Sequence, residues 1–210
     1  MKQHDYWNQA AGTKAFTTPF HSDVFSAFVA KDAYILDVGC GYGRTLRELH
    51  DLGYTNLHGI DFSEKMIERG LDENNFLDLK VMKSADIDMP DHSVDAVILF
   101  AVLTCITRNH DQEYIVKEIK RVLKPGGILY VNDFLLNEDE RNVTRYETYA
   151  EKYGVYGAFE LLEGAVCRHH DAKWIRELFM PFDIKIMEYI TFTTMNGHKS
   201  NGFFLLGSAL

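Results

Sequence analysis

A short apolar run near the start of the chain leads directly into three alternating glycines. Residues 34–38 form the apolar run, and Gly39, Gly41 and Gly43 follow it at alternate positions. Residues 45–52 then carry leucines at the spacing of an amphipathic helix. A strand, a tight turn and a helix in this order predict the first unit of a parallel α/β sheet, with the turn at the carboxyl edge of the strand.

The same alternation continues along most of the chain. Further strands are predicted at residues 56–60, 79–83, 94–100 and 128–134. Between them, Ser63 is predicted to N-cap a helix that stops at Gly70, and residues 113–123 are predicted to form an amphipathic helix. Residues 182–194 and 203–206 are β-rich runs on either side of a turn-rich stretch. We therefore predict an α/β fold with a doubly wound, mostly parallel sheet and an antiparallel C-terminal hairpin.

Composition limits the classes of partner. The formal net charge is −9, and an acidic surface repels the phosphates of nucleic acids. Cys40, Cys105 and Cys167 form no CxxC pair, which favours reduced thiols. No apolar run is long enough to cross a bilayer, and the first residues show no signal-peptide pattern. We expect a cytoplasmic protein that acts neither on nucleic acid nor at a membrane.

The glycine turn predicts a ligand site at the sheet edge. Glycine allows the backbone to approach a ligand where a Cβ atom would clash, and Asp37 at the strand end can orient an ammonium group directly or through water. A purely structural turn is the alternative interpretation. The dinucleotide pattern Gly-x-Gly-x-x-Gly fails, because its third glycine would fall on Arg44. Nothing here therefore favours a pyrophosphate ligand.

Two further acids are predicted at the same edge. Asp61 follows the second strand, where a carboxylate can accept hydrogen bonds from both hydroxyls of a ribose; helix capping is the alternative role. Asp86 follows the third strand and could accept from an adenine amino group, with Ile87 and Phe62 on either side of the ring; a solvated loop acid is the alternative. Together the positions indicate a nucleoside that lies across the sheet edge.

These motifs resemble those of class I S-adenosylmethionine-dependent methyltransferases. Residues 35–43 are similar to the first motif of that family, and residues 59–63 to its ribose-binding motif. Ala85 and Asp86 resemble the adenine-side motif, residues 93–98 the fourth-strand motif, and residues 123–129 the segment that enters the fifth strand. The motifs occur in the order of the family and cover about residues 34–134.

The resemblance implies S-adenosylmethionine as the cofactor and a seven-stranded sheet whose last strand is antiparallel. In this family the lid and the acceptor pocket usually lie outside the shared motifs. We expect residues 1–210 to form a single domain, with residues 1–33 as an N-terminal lid and residues 135–170 as an inserted helical cap. The predicted cofactor-binding residues are Asp37, Gly39, Cys40, Gly41, Asp61, Phe62, Met66, Ala85, Asp86, Ile87 and Phe100.

Markers of some subclasses are missing after the fourth strand. The chain has Phe100-Ala101-Val102-Leu103 where enzymes that methylate exocyclic base amino groups carry Asn-Pro-Pro-Tyr or Asp-Pro-Pro-Tyr. The metal-dependent catechol-type enzymes use an acid after this strand, and Phe100 is not an acid. We therefore expect neither base methylation nor a metal site.

The candidates for acceptor chemistry lie in the variable segments. His170 and Arg168, within the run Cys167-Arg168-His169-His170, could act as a base and as an anion-binding group; a polar edge strand is the alternative. Tyr6 is the third candidate, in a predicted lid that also contains the residues Trp7, Lys14 and His21. Ordinary packing is the alternative for that set. The sequence does not identify a catalytic residue among them.

The function predicted first is methyl transfer to a small-molecule acceptor, with an anionic acceptor among the options. The acidic composition, the length of the chain and an aromatic insertion able to cover a pocket favour it. A methyltransferase acting on RNA or protein, and a non-catalytic cofactor-binding module, are the alternatives.

Overall fold

The computed structural model describes residues 3–194 and 197–210. The strands are β1 (Ile35–Val38), β2 (Leu57–Asp61), β3 (Asp78–Val81), β4 (Val94–Phe100), β5 (Leu123–Phe134), β6 (Ala158–Glu160), β7 (Val166–Arg168), β8 (Phe182–Thr193) and β9 (Lys199–Ala209). The helices are α1 (Gln3–Ala10), α2 (Ser22–Ser26), α3 (Arg44–Asp51), α4 (Glu64–Glu73), α5 (Asn109–Val122), α6 (Glu140–Tyr153) and α7 (Ala172–Leu178), with a short 3₁₀ helix at Leu103–Cys105.

The central sheet has seven strands in the order β3-β2-β1-β4-β5-β9-β8. The first five strands run parallel, whereas β9 pairs antiparallel with both β5 and β8. This confirms the predicted α/β fold and its C-terminal hairpin, although residues 195 and 196 of the predicted turn lie outside the described residues. The strand order reverses between β1 and β4, and ligands of such sheets bind at the carboxyl ends of the strands beside this reversal.

Both faces of the sheet are buried, and strand alternation divides the core between them. In β1, Ile35 packs with the cluster on one face and Leu36 with the cluster on the other; in β4, Ile98 and Val97 divide in the same way. Helices α5 and α7 cover the face of Leu36, and α2 and α3 cover the opposite face. Burial on both faces explains why β4 is almost entirely apolar.

The predicted helix stop at Gly70 is wrong, because α4 continues to Glu73. A Cβ atom at Gly70 would lie 2.5 Å from Cδ1 of Leu79 and 3.0 Å from the carbonyl oxygen of Tyr42. The glycine therefore allows α4 to pack closely on β3 and on the glycine turn, and it does not end the helix. The predicted N-cap is present, since the Ser63 hydroxyl accepts from the Met66 N–H at 3.2 Å.

The segment of residues 135–170 is only partly helical. Helix α6 is followed by an antiparallel pair, β6 and β7, in which Phe159 lies opposite Cys167. Helix α1 is bonded to this pair, because the Gln3 side chain donates to the Val166 carbonyl at 2.8 Å and accepts from the Val166 N–H at 3.1 Å. The N-terminal segment and the insertion thus meet each other over the carboxyl edge of the sheet.

Helix α1 and the residues that follow it also contact α4 and its N-cap. Oδ1 of Asn8 accepts from the Ser63 hydroxyl at 2.7 Å, and Arg69 of α4 donates to the carbonyls of Ala11 and Lys14. None of the helices within residues 3–194 and 197–210 combines the length and apolar character that a bilayer crossing requires.

Candidate cofactor and acceptor site

A cavity of about 500 Å³ lies at the carboxyl edge of the sheet, beside the reversal of strand order. Its sheet-edge wall is formed by the ends of β1, β2 and β4 and the segment after β3, and includes Asp37, Gly39, Cys40, Gly41, Asp61, Phe62, Met66, Ala85 and Phe100. Its covering wall comes from α1, residues 16–18, the insertion and the β8–β9 hairpin, and includes Tyr6, Trp7, Phe16, Arg141, Arg145, Phe159, Cys167, His169 and His198.

The glycine turn brings backbone and side chains unusually close together. Gly39 and Gly41 have φ angles of +75° and +56°, a region that residues with a Cβ atom rarely adopt. A Cβ at Gly39 would lie 2.4 Å from Cγ2 of Val102, and one at Gly41 would lie 2.6 Å from the ring of Phe16. The turn therefore needs glycine for its conformation and for the close approach of these two side chains.

Asp61 links this turn to β2. Its Oδ2 accepts from the Gly41 N–H at 2.9 Å, and its Oδ1 accepts from the Ser63 N–H at 2.8 Å. Burial raises the pKa of this carboxyl, and the two N–H donors partly offset the shift. A carboxylate oxygen can accept more than one hydrogen bond, so both oxygens retain capacity for hydroxyl donors of a ligand in the cavity.

Asp37 lacks a partner that its burial requires. The side chain is 2% exposed, and Oδ1 has no hydrogen-bond partner within residues 3–194 and 197–210. Burial raises the pKa of this carboxyl from 3.8 to about 7, and the Arg44 guanidinium only partly opposes the effect. A cationic donor such as the ammonium of an amino acid would supply both the missing hydrogen bond and the missing charge. The residues present therefore fit the amino acid end of S-adenosylmethionine.

The structure does not bring two of the predicted adenine-side residues to the cavity. Asp86 is exposed and accepts a hydrogen bond from the Tyr114 hydroxyl. Ile87 is buried in the core beneath α5, and its N–H donates to Glu118 at 3.1 Å. Ala85 remains in the sheet-edge wall.

Of the three candidates for acceptor chemistry, only Tyr6 lines the cavity. Burial raises the pKa of its phenol to about 12. The Arg168 guanidinium instead donates to the Thr107 carbonyl at 2.9 Å and to Oδ1 of Asn109 at 2.7 Å. His170 is fully buried outside this cavity, and burial lowers the pKa of its imidazole to about 3. Its neutral ring lies 3.8 Å from Asp133, the nearest carboxylate.

His169, and not the predicted His170, lies in the wall of the cavity. Cys167 and His169 line the cavity, whereas Arg168 and His170 do not. Side chains alternate between faces along an extended chain, so β7 and the residues after it direct every second side chain to the cavity. Strand alternation predicts that Cys167 and His169 share one face and that Arg168 and His170 share the other. The sequence does not say which of these two faces is turned toward the cavity.

The hydrogen bonds around His169 determine which ring nitrogen carries the proton. The Tyr146 hydroxyl accepts from the Asn137 N–H at 3.4 Å and lies 2.6 Å from Nδ1 of His169. The Asn137 amide is oriented by backbone groups, because its Oδ1 accepts from the Asn201 N–H and its Nδ2 donates to the Leu135 carbonyl. That Nδ2 also lies 3.1 Å from Nδ1 of His169. The amide nitrogen of Asn137 can only donate, so Nδ1 is the acceptor, the Tyr146 hydroxyl donates to it, and Nε2 carries the proton.

His169 is therefore a neutral hydrogen-bond donor in the wall of the cavity. Burial holds the pKa of its imidazole well below the usual range, and the Arg145 guanidinium adds to the shift. Within the described residues, Nε2 of His169 forms no hydrogen bond, so its N–H can be donated to a ligand.

Arg141 and Arg145 of α6 also belong to the covering wall and are not predicted from the sequence. They are four residues apart, so they lie on the same face of the helix. That spacing was visible in the sequence, but nothing in it says which face of an inserted helix covers a cavity.

Comparisons with known proteins identify the family. The family model described as "Methyltransferase domain" matches residues 36–131. Carboxy-S-adenosyl-L-methionine synthase of Campylobacter fetus is 30% identical over 161 residues, which are 70% of this chain and 68% of that protein. 27-O-demethylrifamycin SV methyltransferase of Amycolatopsis mediterranei is 30% identical over 141 residues, which are 63% of this chain and 51% of that protein. Other relatives are, by their names, sterol and tRNA methyltransferases.

A solved structure extends the likeness to nearly the whole chain. A crystal structure described as an S-adenosylmethionine-dependent methyltransferase of Methanosarcina mazei aligns with a TM-score of 0.85 and 25% identity, and covers 93% of this chain and 99% of that one. Some of the relatives are much longer than this chain. The matched region covers 51% of the length of the rifamycin enzyme and 37% of the length of a sterol methyltransferase of Yarrowia lipolytica.

Proposed function

Because this chain belongs to the class I S-adenosylmethionine-dependent methyltransferases, with S-adenosylmethionine as its cofactor, we propose that it transfers the methyl group to a small-molecule acceptor. One observation carries the proposal. The predicted cofactor residues of the sheet-edge wall and the aromatic and cationic residues of the covering wall line the same cavity of about 500 Å³. Small-molecule sites in proteins have cavities of this order, about 300–1,000 Å³.

The sheet-edge wall would hold the cofactor. We assign Asp37 to its ammonium group, the backbone at Gly39 and Gly41 to its amino acid end, and Asp61 to its ribose hydroxyls. Phe62, Met66, Ala85 and Phe100, with Cys40 of the turn, would supply the apolar contacts around it. When bound, S-adenosylmethionine supplies a methyl group on a positively charged sulfur, which an electron pair of an acceptor can attack in line.

The covering wall would orient the acceptor and exclude water. We propose that residues 1–33 act as a lid and residues 135–170 as a cap within a single domain of residues 1–210. The Gln3–Val166 hydrogen bonds, which join the two segments over the sheet edge, support this arrangement. Exclusion of water protects the reactive sulfonium and strengthens polar contacts inside the cavity.

The described covering wall offers few groups able to remove a proton from the acceptor at neutral pH. Tyr6 and Cys167 remain protonated because burial raises the pKa of each to about 12. His169 already carries its proton on Nε2. The imidazole of His198 is the remaining group of this kind in the described covering wall. An acceptor that presents an electron pair without prior deprotonation needs no such base, since a general base is required only for an acceptor of high pKa.

Transfer to RNA or protein is the second candidate, and the names of some relatives include tRNA. The net charge of −9 and the covering of the cavity by α1 and the insertion favour the small-molecule acceptor instead. A cytoplasmic location stays a prediction; the free thiols of Cys40, Cys105 and Cys167 support it.

The proposal is tested with purified protein and S-adenosylmethionine labelled in the methyl group. The protein is incubated with a cell extract divided into small-molecule, RNA and protein fractions. We expect label in the small-molecule fraction, and much less label with an Asp37→Asn variant at a cofactor concentration that does not saturate the variant. Label confined to RNA or protein would refute the small-molecule acceptor, and cofactor binding without transfer to any fraction would favour a non-catalytic binding module.

A further inference from the structure

The covering wall contains a half-buried cation, Arg145, without a counterion. Arg145 forms no ion pair with a carboxylate in residues 3–194 and 197–210, and its Nε atom is buried without a hydrogen-bond partner. The guanidinium carbon lies 3.4 Å from the centre of the Phe159 ring. An arginine stays charged in proteins, and even partial burial of a charge without a counterion is unfavourable. A bound anion would supply Arg145 with both the missing counterion and an acceptor for its Nε–H.

Two further donors lie on the same wall. Arg141 precedes Arg145 by one helical turn and is an exposed residue. Its Nε lies 3.9 Å from Oδ1 of Asp139, an ion-pair distance that is too long for a hydrogen bond. The ring of His169 lies 4.9 Å from the ring of Phe159, on which Arg145 stacks. The locked tautomer of His169 adds a neutral N–H donor beside these cations.

The acidic residues of the cavity lie on its opposite wall. Asp37 and Asp61, the carboxylates among its described lining residues, both belong to the sheet-edge wall. The cavity thus has an acidic wall, suited to a cationic amino acid group, and a cationic wall with no acid among its described lining residues. Between the charged groups the covering wall is aromatic, with Trp7 and Phe16 among its members.

We propose that the covering wall is a binding site for an anionic oxygen group of the acceptor, a carboxylate or a phosphate, held by Arg145 and Arg141 with the Nε2–H of His169 as a third donor. The acceptor would then be an acidic small molecule with an apolar or aromatic body. Planar guanidinium groups pair with carboxylates and phosphates through two parallel hydrogen bonds, which no neutral isostere can reproduce. This inference rests on the proposed small-molecule function and specifies its substrate class.

The test compares acids with their neutral counterparts on protein saturated with S-adenosylhomocysteine. Benzoate against benzamide, 4-hydroxybenzoate against 4-hydroxybenzamide, and phenyl phosphate as the phosphate probe are titrated by calorimetry and ligand-observed NMR. A hydrogen bond to a charged group contributes about 1.5–3 kcal/mol, so we expect acids to bind about 10–100-fold more tightly than amides. The benzoates and phenyl phosphate distinguish carboxylate from phosphate recognition.

Arg145→Gln should remove this preference, whereas Arg145→Lys should retain part of it. Arg47→Gln, which removes an exposed arginine of α3 with the same change in charge, should leave it intact. In wild-type protein labelled with ¹⁵N, the Nε–H resonance of Arg145 should shift when acid is added and not when amide is added. Because the comparison of acids with amides is made on the wild-type protein, it remains valid even if a variant fails to fold.

The affinity for S-adenosylhomocysteine separates the two claims. Normal affinity without any preference for acids in wild type would overturn the anion site and leave the proposed function standing. An acid preference that survives Arg145→Gln would also overturn the assignment to this wall. No binding of S-adenosylhomocysteine would overturn the proposed function and, with it, the inference.

Discussion

Replacement of Asp37 by asparagine should stabilise the free protein and weaken cofactor binding. The pKa of this carboxyl is raised from 3.8 to about 7 by burial, and each unit of pKa corresponds to about 1.4 kcal/mol. The unfolded chain therefore loses its proton at a lower pH than the folded protein. The resulting loss of stability begins above the unfolded pKa, grows as pH rises, and is complete above about pH 7. It amounts to at most about 4 kcal/mol.

An asparagine at this position cannot ionise, so the variant lacks this loss. We expect Asp37→Asn to have a higher free energy of unfolding than wild type at pH 8, with a difference that shrinks toward pH 5 and vanishes near pH 4. Denaturant titrations across this pH range measure the difference. In thermal scans each kcal/mol should appear as about 2–4 °C in Tm for a chain of this size.

The same substitution should weaken S-adenosylhomocysteine binding by about 10–100-fold, because a charge-assisted hydrogen bond to the ammonium is lost. In wild type, binding to a protonated Asp37 requires release of its proton, so affinity should fall by up to about tenfold per pH unit below about pH 7. The variant should show a flat profile in this range.

Asp78→Asn is the matched control. Burial opposes ionisation of Asp78, but hydrogen bonds from His58 and Lys80 outweigh it and hold the pKa below the ordinary value. This variant should therefore lose stability at neutral pH, where the carboxylate is paired, and the loss should disappear as pH falls through the lowered pKa. Its cofactor affinity should not change. Equal or lower stability of Asp37→Asn at pH 8, or unchanged cofactor affinity in that variant, would refute the reasoning.

Three further substitutions test other parts of the account. Tyr146→Phe leaves the Asn137 amide as the remaining donor to Nδ1 of His169, which should cost about 1–3 kcal/mol of stability and shift the Nδ1 resonance in ¹⁵N spectra; an unchanged resonance would contradict the assigned hydrogen bond from the Tyr146 hydroxyl. Gln3→Ala removes two hydrogen bonds to the backbone of Val166, so amide exchange at Val166 should accelerate, and an unchanged rate would show that α1 does not hold the insertion. Asp86→Asn should change S-adenosylhomocysteine affinity by less than about twofold if the side chain keeps its position outside the cavity; weakening of tenfold or more would support the adenine contact that the sequence predicted.

The sheet could be predicted because its signals are local. Strands β1 and β4 are apolar runs bounded by turns, and glycines with positive φ mark the tight junction after β1. The same local reasoning failed at Gly70, since a glycine that permits close packing has the same sequence signature as one that ends a helix. Only the neighbouring Leu79 and the Tyr42 carbonyl distinguish the two roles.

The acceptor half of the cavity depends on contacts that the sequence does not encode locally. The residues that orient His169 lie 23 and 32 positions before it. Strand alternation separates His169 from His170, but which of them faces the cavity depends on how β7 packs against its surroundings. Likewise, the spacing of Arg141 and Arg145 defines a helix face, while only the packing of the insertion turns that face toward the cavity.

The most direct test of the central claim is a crystal structure of the protein with S-adenosylhomocysteine. We expect the ammonium group to lie within hydrogen-bond distance of Oδ1 of Asp37, the ribose hydroxyls to contact Asp61, and the sulfur to face the wall that contains Arg145 and His169. Density for the ligand outside this cavity, or with its amino acid end away from Asp37, would contradict it.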